Sequence, residues 1–154
     1  MSYKFKRTRD IANDIKSLLK TARDDDDALI FKDVRVIAVT SYEQLFKTIS
    51  HLSRFPAAVV CVGTGRFNDD VDVRTINPGI LIVDEFGISA ESRAAGIWDA
   101  LDATIDLFVP NADRDLKEVN GVTYIPRDFR SITLKNSRNS AYLLEIKVIA
   151  VRGD

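Results

Sequence analysis

One cysteine, one histidine and one tryptophan stand among 154 residues, and each scarcity closes off a class of chemistry. The lone thiol, Cys61, has no partner for an intramolecular disulfide and no companions for a cysteine zinc cluster, which suits a reducing compartment. Its place in the apolar run Ala57-Ala58-Val59-Val60-Cys61-Val62 reads as core. The lone imidazole, His51, has nothing near it in sequence to orient it as a general base, and it projects from the polar side of its helical pattern. An excess of charge of either sign is missing too. Lys and Arg number 22 against 23 Asp and Glu, for a formal net charge of -1, so no basic surplus draws the chain onto nucleic acid or an anionic membrane. A protein partner is expected, with neither a membrane nor sequence-specific nucleic acid. No apolar run reaches the roughly 18 residues of a spanning helix, and MSYKFKRTRD is charged with no apolar stretch behind it. A cytosolic chain without a signal peptide is expected.

What is present suffices for a core. With 45% hydrophobic and 29% charged residues, the composition fits one domain over residues 1–154. From Thr8, read as an N-cap, Ile11, Ile15, Leu18, Leu19 and Ala22 form one stripe of an amphipathic helix over residues 8–22, a segment that can be peripheral. Asp33 to Val39 is β-branched and half alternating, which predicts a strand. Ser41-Tyr42-Glu43-Gln44 matches a capping box, so a helix is expected there, with Tyr42, Leu45, Phe46, Ile49 and Leu52 inward and Pro56 past its end. The unalternating run from Ala57 to Val62 predicts a strand covered on both faces, at the centre of a sheet. Asn77-Pro78-Gly79 signals a turn, and Ile80-Leu81-Ile82-Val83 a second buried strand.

The longest helix is expected from Ser89, as N-cap, to about Phe108, with Ala90, Ala94, Ile97, Trp98, Leu101, Ile105 and Phe108 on one apolar face. Asn111 to Asn120 reads as a polar loop. A hairpin closes the chain: Ile132 and Leu134 alternate with polar residues, Asn136 to Asn139 turns, and Tyr142, Leu144, Ile146, Val148 and Ala150 share one face of the return strand. The fold class expected is α+β, a mostly antiparallel central sheet packed by two or three helices, with a C-terminal β-hairpin.

Four features invite a chemical reading. In Val62-Gly63-Thr64-Gly65-Arg66-Phe67-Asn68-Asp69-Asp70 the glycines follow a strand, as in a phosphate loop. The Gly-Lys-Ser/Thr of a Walker loop is missing, as are a third glycine and an immediate helix, and the aspartates would repel a phosphate, so a flexible connection is expected. Asp24 to Asp27 are adjacent carboxylates that repel one another, which reads as a solvated loop. Asp99, Asp102 and Asp106 recur on the wet side of the long helix, and no histidine joins them as a ligand. They are candidates for contact with a basic partner surface. Glu145-Ile146-Lys147, with Asp128 upstream, is the Glu-x-Lys pattern by which restriction-like nucleases hold magnesium and activate water. Glu-x-Lys also suits the wet face of any strand that must resist edge pairing. No catalytic, cofactor or metal residue is assigned.

The combination of Val34-Arg35-Val36-Ile37, Phe55 to Gly63, Ile80-Leu81-Ile82-Val83, the helix around Ala95-Gly96-Ile97-Trp98-Asp99-Ala100-Leu101, and the closing Ala141 to Val148 resembles the tail terminator, or tail completion, proteins of tailed bacteriophages, including the Mu-type group. The resemblance is one of pattern and spans about Asp33 to Val151. It implies a structural protein of the virion tail or neck, assembled in the host cytoplasm and not an enzyme. Such a protein forms a six-subunit ring that caps the head-proximal end of the tail tube, stops tube polymerisation and receives the head connector or stopper. Its partners would be itself, the tube protein and the connector, with no cofactor. A head-to-tail contact closes only when unlike patches meet. Candidates are the acidic stripe Asp99, Asp102 and Asp106 and the basic hairpin carrying Arg127, Arg130, Lys135 and Arg138. The alternatives are a head-to-tail joining or neck adaptor protein, a host-derived adaptor, and a magnesium-dependent nuclease using Glu145 and Lys147.

Overall fold

The period-two run from Ala141 to Val148 becomes one of the two central strands of a mixed, mostly antiparallel sheet. The computed structural model describes residues 7–38, 47–67, 73–85, 90–108, 117–119, 122–132 and 139–151. Its strands are β1 (Asp33–Ile37), β2 (Ala57–Phe67), β3 (Val73–Glu85), β4 (Lys117–Val119), β5 (Val122–Ile132) and β6 (Asn139–Val151). They lie in the order β1-β2-β3-β6-β5-β4, with β1 and β2 parallel and every other pair antiparallel. Among the described residues two helices, α1 (Thr8–Leu19) and α2 (Ala90–Phe108), accompany them, and residues 47–50 form a further helical turn. The fold is α+β with a C-terminal β5–β6 hairpin, as the sequence pattern predicts.

Both long helices cover the same face of the sheet. Ile11, Ile15 and Leu19 of α1 and Ile97, Leu101 and Phe108 of α2 share one core with Val60, Ile80, Leu144 and Ile146. Burying each such side chain is worth about 2 kcal/mol, so the alternation on β6 fixes the register. The opposite face carries a smaller core, in which Ile49 and Leu52 pack on Ala57, Val59, Leu81, Val83 and Ala141. The apolar run of β2 is therefore covered on both faces, which explains its lack of alternation. Its place is second from the sheet edge, because β1 pairs outside it, and the centre belongs to β3 and β6.

Several expectations are corrected. Asn77-Pro78-Gly79 does not turn; it lies inside β3, between β2 and β6. Proline is tolerated there because β2 bulges opposite it: Val62 pairs with Pro78 and Gly65 with Ile76, so two residues face one and the ladder is already interrupted. The connection from Gly63 to Asn77 is largely two strands, since Gly63 to Phe67 extend β2 and Val73 to Asn77 begin β3. No phosphate loop forms in the strand that replaces it. The expected loop from Asn111 to Asn120 contains β4, a three-residue edge strand pairing with Val122 to Tyr124. Thr8 is the first helical residue and Arg7 occupies the cap, without a side-chain hydrogen bond. The capping box at Ser41 to Gln44, the inward residues Tyr42, Leu45 and Phe46, and Ser89 lie outside the described residues.

Candidate functional site

The run Asp24 to Asp27 is a compact turn. The Asp24 carboxylate accepts the backbone N–H groups of Asp26 and Ala28, each at 2.9 Å, and Arg23 donates to the Asp27 carbonyl at 2.7 Å. Asp27 sits in the left-handed region at φ 62°, which a short polar side chain tolerates. These residues are exposed, as a solvated loop should be. The turn sets Asp24, Asp25 and Asp26 opposite Asp99, Asp102 and Asp106 of α2, across a groove of about 310 Å³ that also contains Arg23 and Ala103. Two acidic features far apart in sequence thus become one. Among the described residues no group of three or more His, Cys, Asp or Glu side chains is arranged to hold a metal ion, so the groove projects a broad negative field rather than a coordination cage.

The basic candidates stand elsewhere. Arg127 and Arg130 are exposed on β5, with a register shift between Pro126 and Asp128. Arg130 pairs with Leu143, whose Cδ1 lies 3.0 Å from where a Cβ on Gly79 would stand, on the face turned away from both long helices. A loose contact of 3.8 Å joins Arg130 Nη2 to Glu145 Oε1, with both side chains well exposed; such a pair contributes little to stability. Lys135 and Arg138 lie outside the described residues. Within one chain Arg130 and the Asp99, Asp102 and Asp106 stripe therefore occupy opposite sides of the sheet.

The Glu-x-Lys pattern gains one point of geometry. Asp128 is the register partner of Glu145, and Lys147 follows two residues along β6, so all three belong to the face away from the helices. Two carboxylates side by side are a partial metal site at most, and Arg130 competes for one of them.

Trp98 corrects the expected apolar face of α2. It is 53% exposed, and its indole N–H donates to the Tyr142 hydroxyl at 2.9 Å. Phe129 on β5 is 54% exposed, so two large aromatic side chains stand out at the β5–β6 side of the molecule. Among the described residues Leu29 and Val36 are the other exposed large apolar side chains, at the β1 end. Helical periodicity assigned Trp98 to the core because its flank of α2 is apolar; whether the sheet extends beneath that flank is not written in the helix. His51 is exposed, as its position in the helical pattern predicts.

Two groups are perturbed, the half-buried Cys61 and the fully buried Tyr124. Burial pushes the Cys61 thiol from 9.0 to about 11. Burial, and secondarily the Asp14 carboxylate, raises the Tyr124 hydroxyl well above its usual range, and no hydrogen-bond partner meets that hydroxyl among the described residues. Neither group suits nucleophilic or acid–base work near neutrality. No helix among the described residues is long and apolar enough to cross a membrane. No protein-family model and no curated protein matches the chain.

Proposed function

We propose that the chain is the subunit of a head-to-tail ring with the role of a phage tail terminator: six copies cap the head-proximal end of a tail tube, stop its growth and present a surface to the head connector. The observation that carries the ring is the separation of opposite charges. The acidic groove of Asp24 to Asp26 and Asp99, Asp102 and Asp106 lies on the helical side, whereas Arg130 stands on the face away from the helices. Complementary patches that cannot meet within a chain can meet between copies, and unlike patches generate closed rings when the rotation closes. The pattern resemblance to tail terminators supplies the biological role, and a head-to-tail joining protein shares the same physics.

The test exploits heterology. Charge reversal of the groove (Asp99→Lys, Asp102→Lys) should prevent assembly, as should reversal of the strand (Arg127→Glu, Arg130→Glu). Mixing the two variants should restore a ring of alternating subunits, because each reversed groove then meets a reversed strand. Unimpaired assembly of either variant alone would refute this interface.

The pairing of Asp128 with Glu145, two residues from Lys147, favours a second reading as a magnesium-dependent nuclease. Glu145→Gln would then abolish magnesium-dependent DNA cleavage, and a wild-type protein that cuts nothing removes the idea.

A further inference from the structure

The outer edge of β1 borders a groove of about 530 Å³ whose walls belong to both sides of the sheet. Lys16 of α1 stands on the helical side. Lys47 and His51 stand beyond the other face, next to Ile49 and Leu52, which pack there. Along the strand, Val36 is the register partner of Val60 and so belongs to the helical face, while Arg35 belongs to the opposite one. Val36 is 36% exposed. β1 pairs with β2 on one side, and among the described residues no strand pairs with its other side.

Among the described residues lining this groove, the side chains that can carry charge are all basic. Arg35 is held by Asp33, with Nη2 at 3.0 Å and Nε at 3.1 Å from the same carboxylate oxygen. Among the described residues no ion pair engages the side chains of Lys16, Lys47 or His51. Cationic groups thus flank an open strand edge above and below. Edge strands left open are templates for another strand, and an added strand takes its affinity from main-chain hydrogen bonds and its specificity from alternate side chains.

We propose that this groove receives an extended acidic segment of a partner protein, added as a strand along the outer edge of β1. Successive side chains of a strand point to opposite faces. One carboxylate of such a segment would reach Lys16 on the helical side, and its neighbour in sequence would reach Lys47 and His51 on the other. Charge complementarity selects the occupant, since a basic segment would be repelled from both walls. The Asp24 to Asp27 run of a second copy is unsuited, because the Asp24 carboxylate folds it into a turn. The proposal does not depend on ring formation and applies equally to a monomer.

Fluorescence anisotropy at low ionic strength tests it, with a short fluorescein-labelled peptide of repeating Asp-Asp-Val-Val as probe, in which adjacent carboxylates face opposite sides. Binding to the wild type is expected, weakened roughly tenfold or more by the pair Lys16→Glu and Lys47→Glu, the scale of losing two charge-assisted contacts. A peptide in which proline replaces the valines keeps the charge but lacks their backbone donors, and it should bind at least roughly tenfold more weakly. Circular dichroism shows whether the double variant is folded; if it is not, Lys47→Glu alone, at an exposed position, makes the same comparison. The proposal is overturned if the wild type does not bind the peptide, if the proline peptide binds equally well, or if the lysine changes leave affinity unaltered. Binding of inorganic polyphosphate without binding of the peptide also overturns it, in favour of a plain anion site.

Discussion

Trp98 on α2 donates its indole N–H to the hydroxyl of Tyr142 on β6 at 2.9 Å, tying the exposed flank of the long helix to a central strand. The bond lies at a surface where water can replace it, so its net worth is about 0.5–1 kcal/mol. Tyr142→Phe should lower stability by that amount in denaturant unfolding. Because Trp98 is the only tryptophan, its emission should also change as water takes over the vacated position. Unchanged emission would mean that the bond is not populated.

Tyr124 makes the opposite prediction. Its ring is fully buried, 5.7 Å from that of Phe108, and its hydroxyl lacks a partner among the described residues. Tyr124→Phe keeps the ring contact and removes a desolvated polar group whose burial costs about 1 kcal/mol or more. The variant should be more stable than the wild type by about 1 kcal/mol, read as a raised Tm. A destabilised variant would mean that the hydroxyl has a partner.

Alkaline pH should destabilise the fold. An unfolded Cys61 ionises near 9.0, whereas the folded thiol keeps its proton to about 11. The unfolded chain thus binds fewer protons in that interval, and stability falls as pH rises through it. The contribution of Cys61 is fully present below pH 9. Tyr124, whose pKa is raised in the same sense, extends the loss above pH 10. Denaturant midpoints at pH 8 and pH 10 check the sign, and iodoacetamide should modify folded Cys61 far more slowly at pH 8 than it modifies the unfolded chain.

Gly96 shows how closely α2 approaches β3: a Cβ there would stand 2.6 Å from Asp84 Oδ2. Gly96→Ala gains about 1 kcal/mol of helix propensity but must displace a carboxylate that has interactions of its own. Net destabilisation of about 1 kcal/mol is expected from the displaced group. In an Asp84→Ala background the same change should become stabilising, because only the propensity term is left. Equal effects in both backgrounds would remove Asp84 from the explanation.

Legibility varied with how local the deciding physics is. The β6 alternation and the α1 stripe are local, and both gave the correct inward faces. Pro78 misled because its tolerance in β3 depends on a bulge in β2, a different segment. β4 was missed since three residues with two charges carry almost no period. Asp99, Asp102 and Asp106 were legible as an exposed stripe, but their union with Asp24 to Asp26 required the packing of α1 and its following turn beside α2. The groove at β1 was invisible in sequence for the same reason, since Lys16, Arg35 and Lys47 belong to three separate segments.

Native mass spectrometry of the purified protein distinguishes the proposed ring, closed by unlike charged patches, from other assemblies. A species near 103 kDa, six copies of the 17.2 kDa chain, that dissociates as ionic strength rises is expected. A monomer or a two-fold dimer at every ionic strength would contradict it.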